Sequence, residues 1–435
     1  MTRGARIAAA LAEIVGGPRV LEGTDGFCVD GRAPRWVAFP GTVDEVSRCL
    51  ALASAEELAV VPTGRGARLG WGNPPRAVDL ALSLSRLDRV LAHEPADLTM
   101  SVEAGMSLEA LNGSLRPFRQ SVPLDPARSA ASTVGGLIAT GAAGPHRARY
   151  GTMRELLLGV TVVDAHGTVV RGGGRVVKNV TGYDMPKLHV GALGTLGVVV
   201  AAHLRLHATP AAEGTWLFGF RSPEAALEGA ISLLDAPLVP SRVEFLDHAA
   251  LAWLGDAAPP PAGLAVSVGS VPEAVAAQGA RIQDICRSAG GNPVPIAAPD
   301  TWWRAVSDAS WPDEPAASLA LRLGIRTTDV VKALRIVEAA AGGVRLRATA
   351  EVANGVLHLV LTGSDPAGWV RLVGKAREGL GGLGGTCVIE HAPAATKAGV
   401  DVWGEVGPAL DAMRRLKAEL DPQGVLNPGR YVGGI

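Results

Sequence analysis

The chain has 435 residues, 48% of them hydrophobic, which suits two or three domains at roughly 150 residues each with sizeable buried cores. Lys plus Arg (41) and Asp plus Glu (42) nearly balance, which argues against a nucleic-acid partner and against an anionic membrane surface. The four cysteines, Cys28, Cys49, Cys286 and Cys387, are scattered without a C-x-x-C pair or iron–sulfur spacing, so they read as reduced packing residues.

The basic start runs into a short apolar stretch that ends at Glu13, too early for a signal h-region, so residues 1–34 are expected to be a helical segment of a cytoplasmic protein. No apolar run approaches the roughly 18 residues of a membrane span. Thr42-Val43-Asp44-Glu45 has the capping-box form and predicts a helix from about Val43. Ala59-Val60-Val61 reads as a strand that leads directly into Pro62-Thr63-Gly64-Arg65-Gly66-Ala67-Arg68-Leu69-Gly70-Trp71-Gly72-Asn73. Successive backbone N–H groups in such a glycine-rich turn form a concavity for an anion, although an ordinary surface loop has the same composition. The stretch matches neither G-x-G-x-x-G, since Leu69 stands at the third glycine position, nor a P-loop.

Ala77 to Leu80 predicts another strand. Arg89–His93 and Leu98–Ala104 predict a hairpin in which Thr99, Ser101 and Glu103 face water. Ser107 should cap a helix through Leu115. Small residues dominate Thr133 to Gly144, which suits either backbone lying against a planar ligand or a tightly packed helix. Leu157–Val163 and Thr168–Arg171 predict a second hairpin around Asp164-Ala165-His166-Gly167. Two more glycine-rich segments follow, at 172–184 and 191–198. Glycine costs roughly 0.5–1 kcal/mol against Ala inside regular structure. A large cofactor lying along the backbone explains so many of them.

Pro62-Thr63-Gly64-Arg65-Gly66, Thr133-Val134-Gly135-Gly136, Arg149-Tyr150-Gly151, Val177-Lys178-Asn179-Val180-Thr181-Gly182-Tyr183-Asp184, Gly194-Thr195-Leu196-Gly197-Val198 and the tail from Asp421 to Arg430 occur in a meaningful order. In that order the chain resembles the vanillyl-alcohol oxidase/p-cresol methylhydroxylase flavoproteins and, among them, the FAD-binding subunits of bacterial glycolate oxidases. The resemblance covers roughly residues 35–210 and 400–435. It implies an α+β fold: a two-subdomain PCMH-type FAD-binding domain at 35–209, an α+β, ferredoxin-like cap at 210–400, and a segment at 401–435 that returns to the FAD domain.

Residue by residue, the resemblance implies that Gly64, Arg65 and Gly66 hold the FAD pyrophosphate through backbone amides. Thr133, Gly135, Gly136 and Gly141 would line the flavin and its ribityl chain, and Gly194, Gly197 and Val198 would contact the adenine end. Lys178 would place a cation near the flavin N1 edge, a lever on the reduced ring, or else form a surface ion pair. Asn427 would hydrogen-bond the isoalloxazine, or act as a turn residue before Pro428. Ala67 stands where histidine-linked relatives carry their histidine, so the FAD should be noncovalent.

In the last half, Ser222-Pro223-Glu224 and Ser270-Val271-Pro272-Glu273 both read as helix caps after short strands. A similar strand, helix and two-strand pattern recurs at Ser318–Ile325, Asp329–Ala340, Arg345–Ala350 and Val356–Leu361. Related 2-hydroxyacid dehydrogenases hold a divalent metal here with a His-rich motif and a Glu-His-Gly motif. Only Glu351, Asn354, Gly355, His358, Glu390 and His391 correspond, with Glu351 replacing a histidine and Ala392-Pro393 the glycine. The plainer reading is exposed polar residues on strands and a chance Glu-His pair, with no metal. Trp302, Trp303 and Arg304 read as cap packing, with Arg304 as a carboxylate-holding alternative.

The function implied is a FAD subunit that oxidises a 2-hydroxy acid, glycolate to glyoxylate, by hydride transfer to flavin N5. A homologous FAD subunit and a separate iron–sulfur subunit would be its partners. The catalytic base is not identified. His146 is the nearest candidate by motif position, against the plain alternative of a solvent-exposed histidine. Two other readings stay open: a non-catalytic FAD electron-transfer or assembly subunit beside a homologous catalytic one, and a D-lactate dehydrogenase-like enzyme.

Overall fold

The computed structural model describes residues 2–23, 25–175 and 182–435. The N-terminal helix Arg3–Val15 is capped by Thr2 and packs with the helix Val43–Ala55 over a four-stranded sheet that includes the parallel strands Trp36–Ala38, Leu80–Ser83 and Val60–Thr63. Leu11, Leu50, Val60 and Leu82 form the core between them. Thr42 accepts from the Glu45 amide at 3.1 Å, as the capping box predicts, but Glu45 reaches back to the amide of Gly41 instead of Thr42. The strand expected over Ala77–Leu80 begins only at Leu80. Asp79 precedes it and accepts the Ala59 amide at 2.8 Å, so the residues before Leu80 form the connection.

A second layer is a five-stranded antiparallel sheet in the order Val90–Glu94, Thr99–Glu103, Val198–Arg205, Leu157–Val163, Val169–Gly173. The wet face expected on Thr99–Glu103 is closed. The strand is paired on both edges and buried throughout; Ser101 bonds His203 at 2.7 Å and Glu103 pairs with Arg89 at 2.7 Å. Ser107 caps Leu108–Leu115 as expected. The small-residue stretch is a short helix, Val134–Thr140, capped by Thr133 and ended by Gly141 in the left-handed region (φ 65°). It packs against this sheet through Leu137 and Ile138.

Residues 212–391 form an eight-stranded antiparallel sheet built from two strand–helix–strand–strand–helix–strand repeats, the split βαβ pattern of ferredoxin-like folds. One repeat contains Ala212–Phe220, Arg242–Asp247, Ala262–Ser270 and Asn292–Val294, with helices Pro223–Leu234 and Pro272–Ser288. The other contains Ser318–Gly324, Arg345–Glu351, Val356–Thr362 and Thr386–His391, with helices Val330–Ala341 and Pro366–Gly381. They join edge to edge where Arg242–Asp247 pairs with Arg345–Glu351, and this seam places Glu244 directly opposite Glu351. Phe218, Phe245, Leu334 and Trp369 fill the core beneath the sheet. Ser222 caps its helix with Pro223 at the first turn, but the second cap is not as expected. Ser270 still belongs to the strand, and Val271 takes the cap position without a side-chain bond.

The helix Ala409–Leu420 ends at Asp421-Pro422, and the tail then lies beside Val60 through bonds from Val60 N to Val425 O (2.7 Å) and Asn427 N to Val60 O (2.9 Å). Buried Lys417 pins this return by donating to Thr195 O, Asp421 and Leu426 O at 2.7, 2.6 and 3.0 Å. Cys49, Cys286 and Cys387 are buried and free, and burial pushes their thiols up to about 12, 12 and 11. No helix among the described residues is long and apolar enough to cross a membrane.

Candidate functional site

The glycine-rich turn follows the strand Val60–Thr63 and forms one wall of a cleft whose other wall is the start of the helix Val134–Thr140. Gly64, Arg65, Gly66, Thr133, Gly136 and Asn427 all line this cleft. A Cβ at Gly64 would run into the Thr133 side chain, and Gly66 has φ 73°, so two of the glycines are required by close approach and by backbone conformation respectively. Gly135 sits beneath the cleft, where a Cβ would come within 2.9 Å of Ala104 Cβ. The two walls thus approach closely at Gly64, and Gly66 and Gly136 offer bare backbone to the cleft, so the residues present fit a ligand that runs along backbone, as FAD does.

Asn427, at φ 45°, commits both ends of its amide to the protein: Nδ2 donates to Leu193 O, and Oδ1 accepts from Arg430 at 3.0 Å. Buried Arg430 also donates to Leu69 O and Trp71 O, which ties the tail to the turn. Asn427 therefore braces the cleft. Gly194 (φ 66°) lies beside it, the nearest atom to a Cβ there being Asn427 Nδ2 at 3.5 Å. Gly197 and Val198 lie deeper, Gly197 against His189 and Val162, and they line neither the cleft nor the cavity that joins it. Lys178 lies outside the described residues.

Arg68 and Thr140 line both the cleft and an adjoining cavity of about 220 Å³ that also receives Gly141. The FAD domain supplies Arg147 and Arg154 to this cavity, and the cap supplies Arg322, Glu351, His358 and Glu390. Here the expectation of exposed strand residues is overturned. Glu351 and Glu390 are buried, and His358, two strand residues beyond Val356, points between them. Its Nε2 is 3.5 Å from Glu351 and its Nδ1 is 3.7 Å from Glu390. Burial opposes charge on the ring, but the two carboxylates outweigh it and lift the His358 pKa to about 9. Burial would raise Glu390 too, yet His358, Arg322 at 2.9 Å and Arg68 hold it below its usual value. Burial lowers Arg68 to about 10, and it donates to Ser132 (2.7 Å) and Ala127 O.

This set does not fit a metal. Both ring nitrogens of His358 face carboxylates, Arg322 occupies one oxygen of Glu390, and Arg147 stands 3.9 Å from Glu351 Oε2. Among the described residues no group of three or more His, Cys, Asp or Glu side chains is arranged to hold a metal ion. His391 bonds Pro315 O at 2.7 Å and packs on Trp311, while Asn354 and Gly355 form a turn; none of the three reaches the cavity. Four arginines and one imidazolium against two carboxylates leave the cavity cationic, suited to an organic acid.

His146 lines a different cavity, of about 380 Å³, together with Asp125, Tyr150 and Arg242. It is not solvent-exposed: its side chain is 18% accessible, with Nδ1 3.2 Å from Asp125. Burial holds its ring below the usual value against the pull of Asp125. Trp303 donates to Thr215 at 3.1 Å, and Arg242, not the exposed Arg304, stacks over it at 4.9 Å. No role in this cavity was legible for Arg147, Arg154 or Arg322 in the sequence. Arg147 stands in the basic run His146-Arg147-Ala148-Arg149, Arg154 and Arg322 are single basic residues, and only the domain interface brings the three together.

Residues 34–173 match the family model "FAD binding domain", and residues 209–431 match "FAD linked oxidases, C-terminal domain". The chain is 31% identical to a probable mitochondrial D-lactate dehydrogenase of Danio rerio, over 92% of this chain and 85% of that protein. It is 29% identical to the glycolate oxidase subunit GlcD of Bacillus subtilis, over 91% and 88% of the two chains. A solved structure of p-cresol methylhydroxylase with substrate bound superposes with a TM-score of 0.79 at 15% identity, covering 99% of this chain and 97% of that one, which speaks for the fold.

Proposed function

The chain belongs to the FAD-linked oxidases, as an oxidoreductase of the 2-hydroxy acid dehydrogenase type, and from that premise we propose that it oxidises a small 2-hydroxy acid, glycolate or D-lactate, in the cationic cavity. The observation that carries this reading is the adjacency of two spaces. Arg68 and Thr140 line both the glycine cleft and the arginine-lined cavity, so a cofactor held in the first would lie next to an acid held in the second.

Gly64 and Gly66 give the pyrophosphate its backbone cradle, with Thr133 and Gly136 on the opposite wall. When bound, FAD supplies a two-electron acceptor for the hydride on the substrate's α-carbon. Arg147 and Arg154 approach from the FAD domain and Arg322 from the cap, so a carboxylate is gripped from two sides. His358, held charged between Glu351 and Glu390, adds positive potential and takes the place of a metal as the centre of the carboxylate pair. Because the cavity lies between the two domains, these charges act in a partly desolvated setting that strengthens each of them.

Anaerobic addition of glycolate, D-lactate or D-2-hydroxyglutarate to the purified chain should bleach its flavin absorbance with at least one acid. The cavity's lack of a metal-ligating set favours a second reading, an electron-transfer subunit beside a homologous FAD subunit and an iron–sulfur subunit. Bleaching only after such a partner is added would select it.

A further inference from the structure

The seam between the two cap repeats carries a feature the substrate site does not use. Glu244, on Arg242–Asp247, is 2% exposed and stands opposite Glu351 across the strand pair, so the two side chains share one face of the sheet. Glu351 lines the cationic cavity. On the other side of Glu244 come Asp125 and Arg242, both lining the cavity that holds His146. Arg242 Nε is 2.9 Å from Asp125, its NH1 is 2.5 Å from Glu213, and Asp125 accepts the His146 amide at 2.9 Å. The rim of that outer cavity carries exposed Glu109, Arg116, Asp300 and Arg304, so it opens to solvent.

Of the seven buried side-chain atoms without a hydrogen-bond partner among the described residues, Glu351 Oε2 and Glu244 Oε1 lie on this line, and a third, His146 Nδ1, ends it with only the Asp125 carboxylate near it, at 3.2 Å. Unpaired buried polar atoms are costly, and two facing carboxylates that each leave an oxygen unpaired, beside the Asp125–His146 pair, mark a route for a mobile proton. Burial, then the charges of Glu351 and Asp125, push the Glu244 carboxyl well above its usual range, with Arg242 pulling the other way. A neutral acid between two charged clusters can give a proton on one side while it takes one on the other.

We propose that Glu351 takes the hydroxyl proton of the 2-hydroxy acid and that Glu244 relays it across the seam to Asp125 and His146 in the outer cavity. This rests on the function proposed above. The substrate's O–H bond breaks with its proton going to Glu351, the Cα–H bond breaks with its electron pair passing to FAD as hydride, and the C=O bond of the oxo acid forms. The relay carries one proton and no electrons. Glu244 passes its own proton outward as it accepts the one from Glu351, which restores both groups for the next turnover. The charged groups facing the route are His358 and Arg147 at Glu351, Arg242 at Glu244 and Asp125, and Glu213 at Arg242.

The test uses the full FAD-loaded chain. With glycolate or D-lactate under anaerobic conditions, flavin bleaching and proton release to a pH-indicator dye are followed together. In the wild type they should share one rate; in Glu244→Gln, release should lag bleaching by about tenfold, and in Glu351→Gln bleaching itself should slow by about a hundredfold. If Glu244→Gln fails to retain FAD, Asp125→Asn replaces it and should show the same lag. A second arm needs no turnover: the infrared carbonyl band of a protonated carboxyl at pH 7 should vanish in Glu244→Gln and titrate at lower pH in Glu351→Gln. Dye and flavin in step in the relay variant, or no such band, would overturn the proposal. Should no acid bleach the wild type, the functional reading fails. The infrared arm then decides alone: a band that moves in Glu351→Gln supports the coupled pair, and an unmoved band overturns it.

Discussion

The cleft and the cavity that adjoin at Arg68 and Thr140 are built by opposite means. The cleft is a backbone structure. Its residues come from two short stretches and a tail, and glycine does most of the work, because a Cβ at Gly64 or Gly135 would meet Thr133 or Ala104. The cavity is a side-chain structure, in which residues from 68 to 390 converge across two domains and hold one another by charge. The first design suits one large cofactor recognised by shape. The second is a Glu–His–Glu set framed by arginines, in which each group is held by the charge of its neighbours.

If that division is right, substitutions should separate cofactor retention from turnover. The largest effect is expected for Arg147→Met: removal of a half-buried charge facing a substrate carboxylate should cost about 3–4 kcal/mol, several hundredfold in kcat/KM, with FAD content unchanged. Steady-state kinetics beside the flavin absorbance ratio would check it, and loss of FAD in this variant would break the comparison.

Next comes His358. Its folded pKa of about 9 lies above the ordinary 6.5, so its contribution to stability is fully present below about pH 6.5 and disappears as pH rises through about 9. At about 1.4 kcal/mol per unit the contribution is about 3 kcal/mol. The Tm gap between wild type and His358→Gln should therefore be wide at pH 6 and narrow at pH 10. A gap that stays constant would mean the ring is not held charged.

Gly64→Val should cost about 2 kcal/mol, roughly thirtyfold in FAD affinity, through the clash with Thr133. Here the substituted chain should stay folded by circular dichroism but elute with less flavin. The smallest change is chemical. The stretch from Val61 to Asn73 contains no His or Cys, so acid precipitation should leave the flavin in the supernatant, and flavin kept on the denatured chain would contradict noncovalent binding.

The same division explains what was legible in the sequence. Helix caps at Thr42, Ser107 and Ser222 and the glycine-rich turn are local signals, and each stands where its residues place it. The doubled ferredoxin-like repeat was visible as a recurring strand and helix order. Signals that depend on neighbours were misread. Thr99, Ser101 and Glu103 alternate like a wet strand face but are covered by adjacent strands, and Ser270 looks like a cap but ends a strand one residue too early. Glu351, His358 and Glu390 looked like scattered polar residues because their meaning depends on Arg147 and Arg322, and nothing local links those positions. Glu244 carried no signal at all, since its role comes from the strand register that sets it against Glu351.

The central claim is that the cleft and the cavity are one catalytic space. The measurement that tests it most directly is the absorbance spectrum of the purified, FAD-loaded chain before and after anaerobic addition of a 2-hydroxy acid, in wild type and Arg147→Met. Bleaching in the wild type that is lost or greatly slowed in Arg147→Met, with both proteins equally yellow beforehand, is the predicted result. Equal bleaching in the two proteins would contradict it.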